Sequence, residues 1–243
     1  MKNKIVNLAK NLFLALGITA VSSSIPVTAV TLNSSDVGRT FEVDWFLGAG
    51  EDDNDGGATS TIDLSAHGLF KLTSYSDDNL SLDVTLTNTT ELSNDVSKAG
   101  ITRFGFSATP DITEVHLTDI ENDHTDTDRF VGAKAKTGKK KNFPGGFSGI
   151  DVCVFTKEGN KCGGSQNTAL AAKEFDNFSL DIYGDFAEGV TFSQFPAKFQ
   201  TSEDSFSFGG EDNLIAEVPE PGLIVALGLF TASSLLLKKK QQA

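Results

Sequence analysis

The chain has 243 residues, 39% of them hydrophobic, with 33 acidic side chains against 20 basic ones, two Cys and three His. That length and apolar content suit one good-sized domain or two small ones and argue against full disorder. A net charge of −13 excludes general nucleic-acid binding, which needs a basic face, and two Cys with three His cannot build a multi-Cys zinc framework.

The charge is unevenly distributed. Lys2, Lys4 and Lys10 crowd the N-terminus, Lys238, Lys239 and Lys240 the C-terminus, and no acid precedes Val30 or follows Glu220. Between Val30 and Val218 stand 32 acids and 14 bases, a net charge of −18. Two basic ends flanking apolar runs read as addresses, to be set aside before fold reasoning.

Residues 1–29 read as a signal peptide helix. The three lysines form the positive region, Leu12–Val21 a short apolar stretch, and Val27-Thr28-Ala29 supplies small residues at −3 and −1. Cleavage is expected after Ala29, with Sec-type export machinery as the partner that moves the chain across the membrane. The competing reading is an amphipathic or buried first helix.

Residues 30–217 show almost no helical period. Phe41–Phe46 alternates at first, and Leu80, Leu82, Val84 and Leu86 share one face of a clean alternating run. Further strands are expected at Ile101–Ala108, Val115–Thr118, Phe178–Tyr183, Thr191–Phe199 and around Phe206 and Phe208. Turn clusters at Asp52–Gly57, Ser76–Asn79, Asn142–Gly146 and Gly159–Gly164 separate them. Many short strands with frequent turns predict an all-β ectodomain, an antiparallel β-sandwich or jelly roll. The one short helix candidate is Thr168–Phe175. The Phe and Leu side chains should supply the core, and Trp45, on a strand pattern, is expected inside. A sugar-stacking shelf usually needs several exposed Trp or Tyr rings, and the chain has one Trp and two Tyr.

Glu51-Asp52-Asp53-Asn54-Asp55-Gly56-Gly57 is the sharpest metal candidate. Glu51, Asp53 and Asp55 fall at positions 1, 3 and 5 of a calcium loop, with Gly56 at 6. Position 1 is Glu rather than Asp, and position 12 is Ile62 rather than the closing Glu. A Ca2+ ion held there would bind weakly, and the alternative is a solvated acidic turn. Asp119–Asp128 is a second acidic run, without a turn glycine. Lys134, Lys136, Lys139, Lys140 and Lys141 form a basic patch that could pair with that run or touch an anionic polysaccharide. The alternative is a solvated loop.

Cys153 and Cys162 bracket eight residues, with Gly159-Asn160 as the turn. In an oxidising compartment a disulfide is expected, stapling a hairpin and contributing about 2.5–3 kcal/mol in the chain-entropy model. Catalytic motifs are missing. Ser148 lacks the Gly-x-Ser-x-Gly setting, there is no His-Glu-x-x-His, and no phosphate loop. His67, His116 and His124 are scattered. A glycosidase carboxylate pair has no motif to mark it.

The C-terminus reads Val218-Pro219-Glu220-Pro221, then Gly222–Leu237 without a charge, then three Lys. At about 1.5 Å per residue the apolar run spans about 24 Å, short for a hydrocarbon core of about 30 Å but tolerable with snorkelling lysines. A transmembrane helix at 222–237 would keep the lysines cytoplasmic and the domain outside. The prolines leave an extended peptide beside it, readable by a membrane protease. An ordinary tail anchor is the competing reading.

Residues 218–243 resemble the PEP-CTERM sorting signal of bacteria, with Val218, Pro219, Glu220 and Pro221 as the motif, 222–237 as the helix and Lys238–Lys240 as the tail. The resemblance implies an exosortase-type membrane enzyme that cleaves or transfers at the motif, in Gram-negative bacteria making extracellular polysaccharide. Asn142–Cys153, with Cys162-Gly163-Gly164 and the later Phe195–Gln200, resembles cyanobacterial PEP-CTERM proteins with one paired-cysteine hairpin, the "cistern" family. That family implies no activity and no catalytic residues. The expected protein is exported and non-enzymatic, passing through the inner membrane to the envelope, surface or matrix. The alternative is a surface-anchored module binding polysaccharide or calcium.

Overall fold

The computed structural model describes residues 29–54, 56–120, 128–136, 142–157 and 162–214. The expected signal-peptide helix and transmembrane helix lie outside them. Thirteen strands follow in chain order. They are β1 (Val30–Leu32), β2 (Thr40–Leu47), β3 (Leu64–Tyr75), β4 (Asn79–Asn88), β5 (Ala99–Thr109) and β6 (Ile112–Asp119). After these come β7 (Gly132–Ala135), β8 (Val152–Phe155), β9 (Leu170–Ala171) and β10 (Phe175–Gly184). The last three are β11 (Val190–Ser193), β12 (Phe195–Thr201) and β13 (Ser205–Leu214).

All the pairings are antiparallel, in the order β7-β8-β5-β12-β13-β2-β3-β4-β10-β6, with β11 and β9 also on β5 and β1 on β11. The two ends of that series, β6 and β7, lie against each other, so the sheet folds back on itself as a β-sandwich. Burial of one apolar face per strand drives this closure.

The alternation read in the sequence is the cause of the core. Leu80, Leu82, Val84 and Leu86 of β4 are buried, as are Phe178, Leu180 and Ile182 of β10. Phe41 stacks on Phe70 at 4.9 Å, and Phe104 meets Trp45, Phe70, Phe130 and Phe178 with ring centroids 5.6–6.2 Å apart. Such offset and edge contacts add to plain area burial. Trp45 is inside as expected, and its indole Nε1 donates to the Phe195 carbonyl at 2.7 Å.

The expected helix at Thr168–Phe175 is absent. A turn over residues 166–168 leads into β9, a second turn carries Lys173 at φ +70°, and Phe175 already opens β10. Buried Leu170 and Ala169 are claimed by β5, and Asp176, Phe178 and Leu180 continue a period of two. Tertiary strand pairing overrides the helix preference of Ala and Leu.

Three buried polar side chains pin the loops to this frame. Asn88 donates from Nδ2 to the carbonyls of Ala99 and Leu170 and accepts from the Thr90 amide. Asp176 accepts the amides of Arg129 and Phe130 at 2.7 and 2.6 Å, and Asp151 accepts that of Ala108 at 2.8 Å. Each satisfies buried backbone donors or acceptors that would otherwise be left unpaired.

Candidate functional site

Strand directions define two ends of the sandwich. β13 runs from Ser205, beside Gln200 of β12, down to Leu214, opposite Phe41 at the start of β2. Thr201, at the far end of β12, pairs with Ala99 at the start of β5. The chain therefore leaves toward its C-terminus at one end, while the loops before β5 and around β9 sit at the other. Ten residues of β13, at about 3.4 Å each, separate the two ends by about 30 Å. Val218, Pro219, Glu220 and Pro221 lie outside the described residues.

At the end away from the C-terminal exit, the loop between β2 and β3 holds the acidic turn. The Asp53 carboxylate is buried and turned into the loop, where it accepts the amides of Gly57 and Ala58 at 2.9 and 3.2 Å. Its other oxygen faces the Ser207 amide at 3.4 Å. Glu51 accepts from the Gly48 amide at 2.8 Å, and Asp52 from the Thr59 hydroxyl. Asp55 lies outside the described residues. Among the described residues no group of three or more His, Cys, Asp or Glu side chains could hold a metal ion. Glu51 and Asp53 accept from backbone amides of their own turn, and Asp53 does so as Asx side chains do in tight turns.

The second sequence candidate, the Cys153–Cys162 bond, is present, with Cα atoms 5.9 Å apart. It does not close a β-hairpin. Cys153 stands in β8, and both edges of β8 are already taken by β5 and β7. Cys162 belongs to a loop that the bond holds over the outer face of β5. Arg103 of β5 donates from Nη1 to the Cys162 carbonyl at 2.6 Å.

Phe143, Phe147, Ile150 and Phe155 gather around this bond as a small second core on the outside of the sheet. Gly145, at φ +81°, lies so close to β13 that a Cβ there would stand 2.3 Å from that of Ser207. Asn54 of the acidic turn donates its side-chain amide to the Gly145 carbonyl, and its backbone amide to the Ser207 carbonyl. Two motifs nearly a hundred residues apart thereby meet on β13. Beneath this layer burial pushes the Arg103 guanidinium below its ordinary value. The Lys136 ammonium is lowered too, by burial first and then by the charges of Arg103 and Lys134. Lys139, Lys140 and Lys141 lie outside the described residues.

The histidines form no catalytic arrangement among the described residues. His67 meets Asp44 at 2.7 Å and His116 meets Glu114 at 3.1 Å, both on outward-facing strand positions. What the sequence reading passed over is a cleft of about 300 Å³ at the end away from the C-terminal exit. Lys98 just before β5, Arg129, Gln166 and Asn167 border it, with Ala99, Gly100, Ala169 and Ala171 beneath. Its residues come from three separated segments, so no spacing in the sequence signals it. No family model matches this chain, nor does any curated protein or solved structure. No helix among the described residues is long and apolar enough to cross a membrane.

Proposed function

We propose that the protein is an exported, non-enzymatic component of the cell envelope or extracellular matrix, processed by an exosortase-type enzyme at Val218–Pro221. The observation that carries this reading is the order Pro-Glu-Pro, sixteen uncharged residues and three lysines at the C-terminus, joined to an acidic β-sandwich. The sandwich is consistent with it. Its first strand begins at Val30, directly after the expected signal cut, and its last ends at Leu214, four residues before the motif. A disulfide is the bond an oxidising compartment permits. The test replaces Pro219, Glu220 and Pro221 together by Ala in the producing cell. Sorting predicts that the full-length chain then accumulates in membranes and the processed form disappears. An unchanged distribution of the variant contradicts it.

A second reading is a surface-tethered module that binds polysaccharide. The cleft's position favours it, because a domain held by its C-terminus would turn that end away from the membrane. Retention of the chain on an immobilised polymer, compared with retention after the sandwich is unfolded, tests it. Equal retention in both states sinks it.

A further inference from the structure

We propose that the cleft beside β5 and β9 binds a small carboxylate-bearing ligand of sugar-acid size. The inference rests on the polysaccharide-binding reading above and names the site and the chemistry.

Charge is the first argument. The chain carries 33 acidic residues, yet none of the eleven residues bordering the cleft is Asp or Glu, and two, Lys98 and Arg129, are cationic. One acid, Glu174, stands at its edge. Glu174 bonds Arg129 through two long contacts of 3.3 and 3.4 Å and also accepts the Ala171 amide, while Glu91 pairs with Lys173. Arg129 is thus shared with Glu174, and Lys98 is the cation left to draw an anion by a charge-assisted hydrogen bond.

The donor set is the second argument. Gln166 Nε2 is buried and has no acceptor among the described residues. An unpaired buried amide donor is costly, and a turn of the Gln166 side chain toward the cleft would let a ligand oxygen relieve that cost. Lys98 makes no ion pair among the described residues, and Ser97 and Asn167 add further polar groups at the border. Donors on several sides of a small space suit a carboxylate flanked by hydroxyls. A phosphate site would call for a run of backbone amides or a helix N-terminus, and the bordering residues lie on strand ends and turns.

Shape is the third. The floor is built of alanines, and Gly100 keeps it flat, because a Cβ at 100 would stand 2.5 Å from that of Ala169. About 300 Å³ is at the lower end of ligand pockets, enough for one sugar acid or a chain end. With no aromatic ring bordering it, polar contacts rather than stacking must hold the ligand.

The experiment measures binding of D-glucuronate to the purified full-length chain by calorimetry and ligand-observed NMR, beside D-glucose, acetate and inorganic phosphate. Glucuronate should bind at least about ten times more tightly than glucose, since one charge-assisted pair separates them. Lys98→Gln should weaken it about tenfold, and Gln166→Leu, of similar size, about fivefold, with neither thermal midpoint lowered. Acetate binding as well as glucuronate supports the carboxylate site and assigns its source to simple acids rather than sugars. Phosphate binding more tightly than glucuronate, glucose competing equally, or both variants binding like the parent overturns the proposal. Polygalacturonate retention separates the two readings. Retention indifferent to Lys98→Gln and Gln166→Leu overturns the cleft and leaves polysaccharide binding standing. Glucuronate bound by the parent and lost in the variants, without polymer retention, does the reverse.

Discussion

Strands β4 and β5 are of nearly equal length and face the same interior, yet they are buried differently. In β4 buried and half-buried positions alternate without a break, and in β5 nine of the eleven residues are buried. The outer face of β4 is wet. Its side chains join a polar ladder in which Ser81 donates to Asp181, Thr85 to Asn177 and Asp83 accepts from Ser179. The outer face of β5 lies under the disulfide-bonded layer, so Thr102, Gly105 and Ser107 are inside although none is apolar and large. One side of the sandwich is thus held by the interior alone, and the other is sealed a second time by a covalent bond and close backbone packing.

Breaking the shared interior should have the largest effect. Phe104→Ala removes a ring touching four others and should cost about 3–5 kcal/mol, lowering the thermal midpoint by on the order of 10 °C. Replacing Cys153 and Cys162 together by Ser should cost about 2.5–3 kcal/mol. That loss should be local. Hydrogen exchange should quicken in residues 142–157 while amides of β4 and β10 keep their protection, and uniform loss of protection would show that the outer layer is not a separate unit.

A single substitution made on both strands sharpens the contrast. Thr102→Val deletes a hydroxyl that donates to the Lys198 carbonyl under the layer and should cost about 1–2 kcal/mol. Thr85→Val, on the open face, should stay within about 0.5 kcal/mol by the same denaturant titration. Equal costs would mean that the layer gives β5 no second interior. Glycine provides the finest test. Gly145→Ala should destabilise more than Gly149→Ala by about 1 kcal/mol. Both residues have positive φ, but only at 145 would the new methyl strike β13.

The same contrast explains what could be read in the sequence. Where one face is buried and the other wet, apolar and polar residues alternate, and β4, β10 and the Phe positions of β12 and β13 were legible for that reason. Trp45 followed from its strand pattern. Where a strand is covered twice, its outer positions are filled by Gly, Thr, Ser and Arg, chosen for fit rather than hydrophobicity, and the period no longer reports burial. The short helix read at Thr168–Phe175 failed because its apolar residues belong to a pairing with β5 seventy residues earlier. The cysteines announced their bond, but their spacing suggested a hairpin. Nothing local could reveal that β5 and β7 would occupy both edges of β8. Similarly, the acidic turn shows its carboxylates in the sequence, while the bonds of Glu51 and Asp53 to backbone amides emerge only with the backbone path. The cleft was invisible because Lys98, Arg129 and Gln166 are unremarkable apart and matter only together.

The most direct measurement is the intact mass of the protein recovered from its producing cells, separated into membrane, envelope and extracellular fractions. The account predicts a chain that begins at Val30, carries the Cys153–Cys162 bond and has lost the residues beyond the Val218–Pro221 region, recovered outside the membrane fraction. A chain ending at Ala243 and confined to membranes would contradict it.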